Sequence, residues 1–199
     1  MTAAASGGKR GPPREVRIIG GQWKRSKLPV ADAPGLRPTP DRVRETLFNW
    51  LGQDLSGWRC LDAFAGSGAL GFEAASRGAA EVVLVERDAR LVRSLRESQQ
   101  RLKADGMRVE AADALAFMRR TSPDAFELVF IDPPFDAKLF EPALAAGSRL
   151  VVPGGFVYLE ADRAFDDAAV MPLGLRVHRH GRAGAVHFHL LQRDGASGA

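Results

Sequence analysis

The chain is poor in the residues that build disulfides, metal clusters and membrane anchors. Cys60 is the only cysteine among its 199 residues, so neither an internal disulfide nor a cysteine-based metal cluster can form. It is expected to be a buried structural thiol. No apolar run approaches the roughly 18 residues of a membrane helix. Residues 1–13 are small, polar and Pro/Gly-bearing, without the apolar stretch of a secretory signal. A cytoplasmic protein is expected. Histidine is scarce too: the four residues His178, His180, His187 and His189 all lie near the end. Their H-x-H spacing resembles a metal set. No acid or cysteine accompanies them, so an exposed or RNA-facing edge is expected rather than a metal.

The hydrophobic content of 45% is ordinary for one globular domain. The net charge of +4 hides an asymmetry. Residues 1–38 hold eight Lys/Arg and two acids, a local +6, and the remainder carries −2. A basic arm on a near-neutral body is the footprint of a protein that meets phosphates. Val16, Ile18, Ile19, Trp23 and Leu28 interleave these charges, which a solubilising tail would not need.

Along the chain, residues 15–19 read as a short strand, Gly20-Gly21 as a turn, and residues 22–28 as its returning partner. Thr39-Pro40-Asp41 reads as a helix start, with Thr39 at the N-cap and Pro40 at the first helical position. From Trp58 on, strands alternate with helices. Strands are expected at 59–63, 81–86, 108–111, 126–131 and 156–159, and helices at 69–77, 88–104, 114–120 and 139–148. Such alternation argues for an α/β fold, a mostly parallel sheet covered on both faces. Residues 175–180 and 185–191 flank a Gly-rich turn and read as an antiparallel hairpin added at one edge.

Cys60-Leu61-Asp62-Ala63-Phe64-Ala65-Gly66-Ser67-Gly68-Ala69-Leu70-Gly71 is a strand, a glycine turn and a helix start. Its G-x-G-x-x-G spacing is a weak nucleotide fingerprint by itself. Glu86 ends the following strand, where a carboxylate can accept hydrogen bonds from ribose hydroxyls. The discriminating residue is Asp62. A carboxylate would repel a pyrophosphate but would attract an ammonium group, which favours S-adenosylmethionine. Phe64, Gly66, Ser67 and Gly68 are further candidate cofactor contacts. Asp113-Ala114 follows the next strand, and Asp113 either binds the adenine amine or caps the following helix.

Asp132-Pro133-Pro134-Phe135 closes an apolar strand, at the end where open α/β sheets bind ligands. The prolines stiffen the rim. Asp132 and the Pro133 carbonyl can accept hydrogen bonds from an exocyclic amine, and Phe135 offers a ring for a base to stack on.

With these motifs in place, the chain resembles the bacterial small-subunit ribosomal RNA (guanine-N2)-methyltransferases, of class I, Rossmann-like fold. The resemblance is carried by Arg17-Ile18-Ile19-Gly20-Gly21, by residues 35–49 with their R-P-T-P-D-R-V-R-E string, by residues 61–71, by Val85-Glu86 and by residues 132–135. It implies methyl transfer from S-adenosylmethionine to N2 of one guanine in 16S rRNA, with the small ribosomal subunit or its precursor as partner. It implies that Asp132, Pro133, Pro134 and Phe135 hold the base. Arg17, Lys24, Arg25 and Arg37 would hold phosphates, and Thr39 and Arg42, just ahead of the core, would close over the cofactor or the base. No metal is needed, and a monomer is expected. The expected division is a disordered tail at 1–14, a basic RNA-binding extension and helix at 15–57, and the methyltransferase domain at 58–199. An adenine-N6 methyltransferase acting on DNA or RNA remains open on the same motif. An NAD-dependent oxidoreductase would explain the glycine loop but neither Asp62 nor residues 132–135.

Overall fold

The structure is a computed structural model and describes residues 15–31, 36, 38–134 and 138–195. The tail at 1–14, Arg37 and Phe135 lie outside the described residues. Two short strands, β1 (Glu15–Arg17) and β2 (Lys27–Pro29), pair antiparallel. The main sheet contains β3 (Arg59–Asp62), β4 (Glu81–Glu86), β5 (Met107–Ala111), β6 (Phe126–Ile131), β7 (Val151–Ala161), β8 (Leu175–Ala183) and β9 (Val186–Arg193). Its order is β5-β4-β3-β6-β7-β9-β8. The first five of these strands are parallel, and β9 and β8 add antiparallel at the edge.

Both faces of the parallel strands are buried, which is why they read as continuous apolar runs rather than alternating ones. Alternation still sorts the side chains. Cys60, Val82, Leu84, Leu128 and Phe130 face one apolar cluster, shared with α1 (Asp41–Trp50), α2 (Ala69–Ser76) and α3 (Ala89–Leu102). Leu61, Val83, Val85, Val129 and Ile131 face the other, shared with α4 (Ala114–Arg120) and α5 (Phe140–Leu150). Val16, Ile18 and Leu28 belong to the first cluster, so the basic extension is packed onto the sheet domain. No helix among the described residues is long and apolar enough to cross a membrane.

Three local features differ from the expected elements. The strand expected at 156–159 begins earlier, at Val151, and runs through Pro153-Gly154-Gly155. That tripeptide lies at a register shift, where β6 pairs Phe126 with Val151 and then Leu128 with Phe156. The short helix α6 (Asp167–Val170) and the 3-10 turn Met171–Leu173 occupy a stretch with no readable period. Thr39 is not the cap of α1. Pro40 takes that position, and its ring offers no acceptor for a side-chain cap bond; the Thr39 hydroxyl donates to Glu160.

Candidate active site

The strand order reverses between β3 and β6, and ligands of open α/β sheets bind outside the carboxyl ends at such a point. Asp62 ends β3 there. Its Oδ2 accepts the Gly71 N–H at 3.0 Å, tying the strand to the first turn of α2. Gly68 precedes that helix at φ +78°, in the left-handed region that glycine adopts without strain. One step along the sheet, Glu86 Oε2 accepts the Gly66 N–H at 3.0 Å, and its Oε1 accepts the N–H groups of Arg87 and Asp88. Glu86 therefore shapes the glycine loop itself, beyond any role toward a ribose. Ser67 is buried in that loop and Phe64 is half-buried beside it.

Asp113 caps α4, where its Oδ1 accepts the Ala116 N–H at 2.9 Å. Of the two roles the sequence left open, the cap is the one this bond forms. Ala114 is packed into the core beneath it.

Asp132 follows β6, half-buried, with Pro133 buried and Pro134 exposed. No hydrogen-bond donor among the described residues reaches its carboxylate. Beside it stands an acid that belongs to no sequence motif. Ile131 pairs with Leu159, which brings Glu160 level with Asp132 on the neighbouring strand. Glu160 is buried, and its Oε1 accepts the Thr39 hydroxyl at 2.7 Å and the Tyr158 hydroxyl at 2.8 Å. The Thr39 contact joins residues 121 apart in sequence and brings the start of α1 over the catalytic end. The available signal was a lone acid in the apolar run Phe-Val-Tyr-Leu-Glu-Ala.

Three carboxyl groups thus crowd one end of the sheet. Burial pushes Asp62 up to about 7, helped by the negative Glu86 and Glu160. Burial also raises Asp132 well above the ordinary range, as do Glu160 and Asp62. Burial raises Glu160 likewise, against its two hydroxyl partners. Such a site disfavours an anion and welcomes a cation.

The R-V-R-E string turns out to serve a buried ionic hub. The fully buried Arg44 donates from Nη1 to Glu73 Oε2 (3.2 Å), from Nη2 to Asp41 (2.6 Å) and the Arg17 carbonyl, and from Nε to the Thr39 carbonyl. Glu73, the one acid in α2, also accepts the Ile19 and Gly20 N–H groups at 2.8 Å and Arg77 Nε at 2.9 Å. Every lone-pair direction of this carboxylate is used, as a buried charge requires.

The sequence-predicted arginines and lysine separate in space. Arg17 pairs with Asp41 near the start of α1, and Arg42 is exposed on that helix. Lys24 and Arg25 are exposed in the loop that docks on Ser76, at the far end of α2. They lie at the amino end of the sheet, away from Asp132.

The family model described as Conserved hypothetical protein 95 matches residues 16–192. The chain is 42% identical over 182 residues to the Ribosomal RNA small subunit methyltransferase D of Escherichia coli K12, covering 90% of this chain and 91% of that one. The Haemophilus influenzae protein of the same name is 39% identical, over 89% and 94% of the two chains. The solved Escherichia coli protein yhhF superposes with a TM-score of 0.79 at 38% identity, over 90% and 98% of the two chains. The mostly parallel sheet with its antiparallel edge hairpin is the class I methyltransferase fold, and by sequence the chain belongs to the Conserved hypothetical protein 95 family.

Proposed function

We propose that the chain transfers the methyl group of S-adenosylmethionine to the exocyclic N2 amine of a guanine in 16S rRNA. The single observation that supports this most is the Asp132-Pro133-Pro134 rim at the end of β6, with a carboxylate that no donor among the described residues reaches, opening beside the Asp62 end of β3. S-adenosylmethionine supplies a cationic sulfonium bearing the transferable methyl. Asp62 holds its ammonium end, the loop at Gly66, Ser67 and Gly68 lets its backbone approach, and Glu86 and Asp113 flank the nucleoside portion. The site's three crowded carboxyls fit this cation and oppose the pyrophosphate of a dinucleotide.

Asp132 and the Pro133 carbonyl accept the two N–H bonds of the amine, which directs its nitrogen toward the methyl group. Charge that builds on nitrogen is stabilised by Asp132. A carboxylate whose affinity for protons is raised is suited to receive the proton that N2 sheds once the new C–N bond has formed. Phe135 stacks on the extruded base. Arg17, Lys24, Arg25, Arg37 and Arg42 hold phosphates. Thr39 acts by fixing Glu160 behind Asp132. The named relatives favour ribosomal RNA over the adenine-N6 alternative. Residues 58–199 form the catalytic domain and residues 15–57 the RNA-facing extension of a cytoplasmic monomer.

The test is methyl transfer from labelled S-adenosylmethionine to small subunits lacking the modification, to their naked rRNA and to genomic DNA, followed by nucleoside identification. Label in N2-methylguanosine is expected. Label in methyladenine would overturn the acceptor while keeping the chemistry.

A further inference from the structure

The C-terminal hairpin carries a feature that the active site does not use. His180 Nε2 and His187 Nδ1 lie 3.0 Å apart, their rings are within 4° of parallel, and their centroids are 5.3 Å apart. That separation is the hydrogen bond plus the two ring radii. The imidazoles therefore meet edge to edge and form one flat plate rather than overlapping. One side of the plate rests on the buried ring of His189, 4.6 Å from His180 and inclined by 22°. His189 is itself fixed: its Nε2 accepts the Phe165 N–H at 3.0 Å, and the Phe165 ring meets it edge-on. His180 is exposed and His187 half-buried, so the other side of the plate is open.

The register places this plate at the catalytic end. Asp132 is level with Glu160, which pairs with Phe188, which pairs with Gly181; the next row is Ala161, His187 and Arg182. His187 is two strands from Asp132, about 10 Å across the sheet. Lys24 and Arg25, by contrast, are at the opposite end. The plate lies on the α5 face, where His189 and His187 pair with Leu159 and Ala161 of the second apolar cluster. Arg182 stands on the same face and donates Nε to the Gly184 carbonyl, and among the described residues no carboxylate pairs with it.

We propose that the His180–His187 plate, with Arg182 at its rim, is a stacking platform for a base of the acceptor RNA adjacent to the guanine held at Asp132. The inference rests on the RNA-methyltransferase reading and adds a second contact to it. The plate has the breadth of a purine, and aromatic shelves beside a cation are how single-stranded RNA is held. Burial lowers His180, with a further push from His187, so the exposed ring is neutral near pH 7 and presents a π face. Arg182 is left free to meet a phosphate.

The experiment uses the full chain, the His180→Ala/His187→Ala double variant and the His180→Phe/His187→Phe double variant. Each is assayed for KM and kcat on small-subunit rRNA, for S-adenosylmethionine affinity, and for quenching of a single-stranded RNA oligonucleotide containing 2-aminopurine. The alanine pair should raise KM for RNA about tenfold and lose the quenching, with cofactor affinity unchanged. The phenylalanine pair should restore both. An active wild type whose KM and quenching survive the alanine pair overturns the platform alone. A wild type that binds and quenches the oligonucleotide through these residues but methylates no RNA supports the platform and overturns the methylation reading. A wild type that binds no RNA overturns both.

Discussion

Asp62 is a buried carboxyl and Asp132 a half-buried one, both at strand ends, and the structure gives them different work. Asp62 is tied into the fold by Gly71, whereas the Asp132 carboxylate meets no donor among the described residues. Removing the charge of Asp132 should therefore affect chemistry rather than architecture. Asp132→Asn is expected to lower kcat by roughly 10²-fold, the scale of losing one positioned electrostatic group. S-adenosylmethionine affinity, measured by equilibrium dialysis, should stay within a few-fold of wild type. A kcat near wild type would remove Asp132 from the mechanism. Asp132 was legible because its Pro-Pro sequel marks a rim. Glu160 was not, because a single acid in an apolar strand carries no spacing, and its partner Thr39 lies 121 residues away.

At the scale of elements, the period of the chain announced the parallel strands and most helices, since a sheet buried on both faces leaves long apolar runs. The N-terminal hairpin was legible as a hairpin but not in its docking. What docks it are backbone donors on Glu73 and Ser76, and hydrogen bonds between distant elements leave no local period. Gly21 shows how tight the fit is. It sits at φ +72°, and a Cβ there would lie 1.8 Å from the Ser76 carbonyl oxygen. Gly21→Ala combines left-handed strain with a backbone clash, and should destabilise the protein by at least about 2 kcal/mol. A urea midpoint shows this directly. An unchanged midpoint would mean that the hairpin contributes little to the folded state.

At the scale of the whole molecule, the acids at the catalytic end set how stability responds to pH. Asp62 titrates near pH 7 in the folded chain and near 4 when unfolded. Across that interval the folded state binds the extra proton, so stability falls as pH rises, by about 4 kcal/mol for Asp62 alone. Asp132 and Glu160 act in the same direction. Asp88, held at about 2 by hydrogen bonds from Arg90, acts oppositely, its contribution being lost only as pH falls below about 4. The ligand-free protein should accordingly melt higher at pH 5 than at pH 8. A cation over Asp62 favours the ionised form, so cofactor affinity should rise with pH up to about 7 and then level off. Saturating S-adenosylmethionine should then restore more stability at pH 8 than at pH 5. Asp62→Asn keeps an acceptor for Gly71 but cannot ionise, so it should flatten the pH slope of melting and weaken the pH dependence of cofactor binding. Melting curves at the two pH values, with and without cofactor, decide the matter. A wild-type slope that persists in Asp62→Asn would move the effect from Asp62 to the Asp132–Glu160 pair.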